Sequence, residues 1–177
     1  MKRLSVFPVL VVALAVFAAS CSKNDNSVAP ADNTHFQYIA TLLPANEAPT
    51  PILTGSEAAG SGLATIDFTL TRDSAGAITG GTANFRVDVK GFPATTAITA
   101  AHIHPGAAGV AGGVLLSAVV APGEVVLTNG AVTFSRLNIA MTAVIAQQIT
   151  NNPPGFYFNV HSVANPGGVM RGQLVKQ

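Results

Sequence analysis

Charge is what this 177-residue sequence has least of. Asp, Glu, Lys and Arg make up 10% of it, where ordinary soluble domains run at about a quarter. Nine Lys and Arg stand against eight Asp and Glu. No basic surplus remains to neutralise a phosphate backbone, which argues against a nucleic-acid partner. Trp is absent and aromatics are 6%, so the core is built from Val, Ile, Leu and Ala with a few Phe. A single Cys excludes any internal disulfide. The hydrophobic share of 49% excludes a chain that is mainly disordered.

The apolar content is concentrated first at the amino end. Lys2 and Arg3 precede a run from Leu4 to Ala19 broken only by Ser5 and Pro8. That run falls short of the roughly 20 apolar residues of a comfortable membrane span. It has the form of a secretory signal. Ala18-Ala19-Ser20-Cys21 resembles a bacterial lipobox. The resemblance implies a lipoprotein signal peptide over residues 1–20, lipidation of Cys21, and a mature chain that starts there. The expected location is the bacterial cell envelope, extracytoplasmic and anchored in the membrane through lipid on Cys21. Removal of Lys2 and Arg3 would leave seven basic and eight acidic side chains, a formal net charge of −1. Residues 21–34, with SKNDNSVAPADNT after the Cys, are polar and aperiodic and read as a tether. Residues 35–177 then suit one domain.

Within that domain the dominant period is two. Ala64, Ile66, Phe68 and Leu70 share one face, and Thr65, Asp67, Thr69 and Thr71 the other, the pattern of a half-buried antiparallel strand. Phe85, Val87 and Val89 repeat it. Strands are also expected at 36–42, 113–120, 125–128, 131–134, 156–163 and 169–175. Turns are expected at Asp73–Gly76 and Asn165–Gly168. Asn129-Gly130 between two β-rich runs is a hairpin signal. Leu137, Met141, Val144, Ile145 and Gln148 recur at helical spacing before Asn151-Asn152-Pro153-Pro154. They predict a short helix over 139–149. The expected fold is all-β: an antiparallel, Greek-key-like β-sandwich of about eight strands with one short helix.

Formal charge is missing from two stretches, between Lys90 and Glu124 and between Arg136 and Arg171. Three of the four His residues lie there. His102 and His104 flank Ile103, so on a strand both imidazoles project from one face. Asn159 and His161 flank Val160 in the same way. If the two strands are neighbours, His102, His104 and His161 converge, with Asn159 beside them. Three neutral imidazoles form a reasonable Zn or Cu site. The same residues could instead form a structural polar network or contact a ligand directly. His35, at the tether edge, is expected to be solvated. Glu47 and Arg171 are candidates for a structural ion pair between the first and last strands. No G-x-S-x-G, second Cys or phosphate loop is present, so no catalytic residue is assigned. The Gly-rich segment 106–113 reads as a loop over the His face.

Four segments carry a family resemblance. Leu42-Leu43-Pro44-Ala45-Asn46-Glu47-Ala48-Pro49 is similar to the pattern L-x-G-x-x-E-V-P-P, and Ala100-Ala101-His102-Ile103-His104-Pro105-Gly106 to A-H-I-H-x-G. Phe156-Tyr157-Phe158-Asn159-Val160-His161-Ser162 is similar to Y-V-N-V-H-T. Pro166-Gly167-Gly168-Val169-Met170-Arg171-Gly172-Gln173-Leu174 is similar to P-G-G-E-I-R-G-Q-L. In this order and spacing they resemble the CHRD, or chordin-type, domain over about residues 36–175. The resemblance implies a β-sandwich that acts as a binding or structural module, with an extracytoplasmic protein or glycan as partner and no established catalysis. Pro44 or Ala45 replaces the glycine of the first pattern, and Val169 the acidic residue of the last. The H-x-H strand is also similar to Cu/Zn superoxide dismutases, but only over a few residues. The other ligands of that site are not apparent, which argues against dismutase activity. The alternative to a binding module is a metal-binding protein or metalloenzyme using the three histidines.

Overall fold

The computed structural model describes residues 32–48 and 55–177. The expected signal segment, Cys21 and the expected tether up to residue 31 lie outside the described residues. Ten strands and one helix follow in order: β1 His35–Leu42, β2 Ser61–Arg72, β3 Ile78–Lys90, β4 Ala97–Pro105, β5 Leu116–Ser117, β6 Val125–Val126, β7 Val132–Thr142, α1 Ala143–Asn151, β8 Phe156–Ser162, β9 Met170–Gln173 and β10 Val175–Lys176. Among the described residues no helix is long and apolar enough to cross a membrane.

The strands form two antiparallel sheets. One has the order β10-β1-β2-β3-β7. The other has β5-β4-β8-β9, with β6 also paired to β4. β3 and β7 are neighbours in the first sheet, and β4 and β8 in the second. The chain therefore crosses between the layers from β3 to β4 at one end of the sheets and from β7 to β8 at the other, which gives the expected all-β sandwich. The period-two faces explain the layering. Ala64, Ile66, Phe68 and Leu70 of β2 are buried together with Phe85, Val87 and Val89 of β3. Opposite them lie Ile98, Ala101 and Ile103 of β4 and Phe158 and Val160 of β8, in one continuous core. Phe85 stacks on Phe158 across the layers, with ring centroids 5.7 Å apart. Each such large side chain, fully buried, contributes about 1.5–3 kcal/mol.

The two sheets are also stitched along one side. β1 runs on past Leu42, and Leu43 exchanges both backbone hydrogen bonds with Arg171 of β9, at 3.1 and 3.3 Å. Gly172 makes this approach feasible: a Cβ there would stand 2.2 Å from the Thr41 carbonyl oxygen.

Three local expectations are corrected by the structure. The helix begins at Ala143, not at residue 139, because Ile139 to Thr142 complete β7. Thr142 Oγ1 caps it, accepting from the Ile145 N–H. Leu137, counted toward its apolar face, is 65% exposed. The β3–β7 register shifts beside it, where Asn138 has φ 59° and its N–H donates to Asn84 Oδ1. Segment 113–120 is mostly irregular and keeps only β5. It still runs along β4 as an edge, since the Leu115 and Ala118 N–H groups donate to Ile103 and Ala101. The Asn129-Gly130 turn forms with φ 53° and 75°, and Thr128 and Ala131 exchange backbone bonds across it. Its flanks then part, β6 to one sheet and β7 to the other. The turn at Asp73–Gly76 forms as expected, with Asp73 Oδ1 accepting from the Ala75 and Ala77 N–H groups.

Candidate metal centre on the outer face of the second sheet

The register of β4, β8 and β9 sets a grid of polar side chains on the face turned away from the core. His102 pairs with Asn159, and Asn159 with Arg171. His104 pairs with Tyr157, and Tyr157 with Gln173. His161 lies opposite Ala100. Ile103, Phe158 and Val160 point the other way, into the core. Strand alternation alone therefore delivers His102, His104, His161, Asn159 and Arg171 to one patch.

The three imidazoles meet. One ring nitrogen from each of His102, His104 and His161 lies within 4.8 Å of the others. His102 Nδ1 is 3.2 Å from His161 Nε2. The outer nitrogens are tied to backbone. His104 Nδ1 faces the Gly112 carbonyl at 3.0 Å, and His161 Nδ1 the Pro166 carbonyl at 2.9 Å. A carbonyl only accepts, so each Nδ1 carries the proton and each Nε2 presents a lone pair inward. Metal-ligating histidines are held in this way, one nitrogen bonded to a backbone carbonyl and the other left for the ion. Burial, with His161 and His104 close by, pushes His102 down to about 4. Burial also lowers His161, against the Pro166 carbonyl and with His104 adding to it. His102 and His161 are thereby held toward the neutral form, the state a metal requires.

Asn159 is 3% exposed and sits at the centre of the patch. Its Oδ1 is 3.0 Å from His104 Nε2 and 3.1 Å from His161 Nε2. The buried Glu47 carboxyl is its acidic neighbour. Glu47 is 7% exposed, and its Oε1 has no hydrogen-bond partner. Burial pushes this carboxyl up to about 7, while the Arg171 guanidinium, the Asn159 amide and the Ala48 N–H pull it down. Gly168, at φ 125°, leaves the space it occupies: a Cβ there would lie 2.8 Å from Glu47 Oε1.

Glu47 and Arg171 are thus brought near each other, but the expected bidentate pair does not form. Ion pairs within 4.0 Å among the described residues are His35–Asp32, Arg86–Asp88 and Arg136–Glu124. Arg171, 1% exposed, donates instead to the carbonyls of Val110 and Ala107 at 3.1 and 3.0 Å and to Gln173 Oε1 at 2.9 Å. Its guanidinium lies 3.5 Å from the centre of the Tyr157 ring. Tyr157 in turn stacks on His104, 4.9 Å apart and 5° from parallel. The Tyr157 hydroxyl accepts from the Gly112 N–H. The Gly-rich loop is therefore fastened over the His face by backbone atoms.

Sequence reasoning missed Tyr157, the Gly112 and Pro166 carbonyls, and Glu57. Glu57 is a second buried carboxylate, 4% exposed. It accepts from Thr96 Oγ1, Ser162 Oγ and the Asn165 amide, so it ties the ends of β4 and β8 together below the cluster. His35 lies apart, exposed and bonded to Asp32.

No curated protein and no solved structure matches the chain significantly. The model of the CHRD domain matches residues 38–174. This span holds the strand pair with the histidines, Glu47, and the seam between Leu43 and Arg171. On that match, the chain belongs to the CHRD domain family.

Proposed function

We propose that this chain is a metal-binding CHRD module carried outside the cytoplasm on a lipid. The observation that carries the reading is the convergence of one nitrogen each from His102, His104 and His161 within 4.8 Å, with two of the rings oriented by backbone carbonyls. A tetrahedral centre with bonds of about 2.0–2.1 Å has donor–donor edges of about 3.3 Å. The His102–His161 separation of 3.2 Å already meets that value. Imidazole donors suit Zn and Cu. Family membership supports a module that is non-catalytic in general terms. Export and anchoring rest on Lys2, Arg3, the apolar run and Cys21.

The protein purified without a polyhistidine tag should contain close to one Zn or Cu per chain by elemental analysis. His102→Ala and His161→Ala should each remove it. Metal-free native protein that takes up neither ion on titration would end this reading. Cys21→Ala should release the chain from the membrane fraction. Unchanged membrane retention would end the anchoring part.

A second reading is favoured by a groove of about 510 Å³ on the first sheet, lined by Thr41, Leu43, Leu63, Val89 and Val132 with Asp88 and Lys90 at its edge. Leu43 and Leu63 are each 40% exposed there. In this reading the module binds an extracytoplasmic protein or glycan of the cell envelope. Leu63→Asp should abolish capture of that partner from envelope extracts while leaving the metal content unchanged.

A further inference from the structure

We propose that the side-chain oxygen of Asn159 is the fourth donor of the three-histidine site, so that the protein alone closes the coordination sphere. The inference rests on the metal reading above and goes beyond it by fixing the coordination number. It starts from an apparent conflict. His104 and His161 both spend their Nδ1 protons on backbone carbonyls. Their Nε2 atoms are therefore acceptors, and each faces another acceptor, Asn159 Oδ1, at 3.0 and 3.1 Å.

Turning the amide over would relieve the contact, because the –NH₂ would then face both rings. Glu47 opposes that turn. Its buried carboxyl is stabilised as the anion by the Asn159 side chain, which an inverted amide, oxygen toward oxygen, would undo. The amide oxygen is thus held toward the histidines. Lone pairs that face one another at about 3 Å are what a cation between them satisfies.

The distances are those of a site that an ion would draw together. Three of the six donor–donor separations, 3.2, 3.0 and 3.1 Å, are close to the tetrahedral edge of about 3.3 Å, and the histidine nitrogens all lie within 4.8 Å of one another. His102, His104, His161 and Asn159 project from strands paired to each other, which keeps the donors on rigid backbone. Glu47 acts here as a positioning residue: it orients the amide and touches no metal. A site with four protein donors leaves no position for an activated water, so it holds its ion and does no hydrolysis.

Cobalt and azide test this directly. The full chain, without a polyhistidine tag, is loaded with Co²⁺ alone, and its visible spectrum is followed while azide is added. The native protein should give a four-coordinate spectrum that azide leaves unchanged. Asn159→Ala should bind Co²⁺ about 10–100-fold more weakly and should respond to azide, because a solvent-held position replaces the amide. Asn159→Asp keeps an oxygen of the same reach and should stay silent. A native spectrum that shifts with azide overturns the proposal while leaving the metal site intact. Unchanged affinity and azide silence in Asn159→Ala would overturn it equally. Failure of the native chain to bind Co²⁺ at all would remove the metal reading and this inference with it. If Asn159→Ala does not fold, the azide response of the native protein and of Asn159→Asp decides.

Discussion

Replacing Arg171 by Met isolates the one buried cation beneath the Gly-rich loop. The guanidinium makes three hydrogen bonds, to Val110, Ala107 and Gln173, and lies 3.5 Å from the Tyr157 ring centre. A hydrogen bond to a charged group contributes about 1.5–3 kcal/mol, and a desolvated cation–π contact about 2 kcal/mol. Two effects reduce the sum. Ala107 and Val110 belong to an exposed stretch, so their carbonyls can turn to water. Removing a buried charge also recovers its desolvation cost, an effect of about 1–4 kcal/mol in other proteins. With the two bonds to exposed carbonyls discounted, the Gln173 bond and the ring contact total about 3.5–5 kcal/mol, and a desolvation recovery of about 1.5–2 kcal/mol leaves a net loss of about 2–3 kcal/mol. At about 4 °C per kcal/mol for a domain of this size, the midpoint of thermal unfolding should fall by about 8–12 °C. Urea unfolding followed by circular dichroism gives the free energy. Hydrogen exchange at the amides of residues 107–112 locates it, since these should lose protection before the sheets do. Arg171→Lys should lose nearly as much, because an ammonium cannot reproduce the planar fork. A change below about 0.5 kcal/mol, with exchange at 107–112 unaltered, would refute the assignment of Arg171 as the fastening of the loop.

Other outcomes follow from single contacts. Gly172→Ala should destabilise by about 3 kcal/mol or more, read by urea unfolding, because its Cβ would stand 2.2 Å from the Thr41 carbonyl oxygen. Native-like stability would mean that the seam between β1 and β9 yields freely. Tyr38→Phe should stabilise by about 1 kcal/mol, since the buried hydroxyl has no partner. Burial pushes Tyr38 up to about 12 from 10. The unfolded chain therefore loses this proton first, and native stability falls as pH rises from 10 toward 12. The advantage of Tyr38→Phe over the native chain should widen across that window, and a constant difference would contradict the burial. Thr142→Ala removes the helix cap and should cost about 1 kcal/mol, with amide exchange accelerated first at Ile145.

The strand faces were legible because alternation encodes burial directly. Ile66, Phe68, Phe85 and Val87 could scarcely face anywhere else once they lie on strands. The start of α1 was not legible. Leu137 and Met141 keep helical spacing by coincidence, because the irregularity at Asn138 breaks the strand period and turns Leu137 to solvent. Asn129-Gly130 specified a turn correctly, but a local signal carries no information on which sheet receives each flank. The meeting of His102, His104 and His161 followed from two i, i+2 patterns on strands that proved to be neighbours. The partners of Arg171 lay beyond reach for a different reason. They are mainly carbonyl oxygens of Ala107 and Val110, and a backbone atom leaves no mark in the residue alphabet.

The pairing of β10 with β1 has a practical consequence for handling the protein. The Gln177 N–H donates to the Gln37 carbonyl, so the last residue of the domain lies beside its first strand. Ends so close make the domain a candidate for circular permutation. A short linker from Gln177 to His35 could join them, with new termini opened in the exposed turn at Ala121–Glu124. A permuted chain of this kind would present the site without residues 1–34, and a reporter fused at either new end would stand clear of the junction that the original ends share.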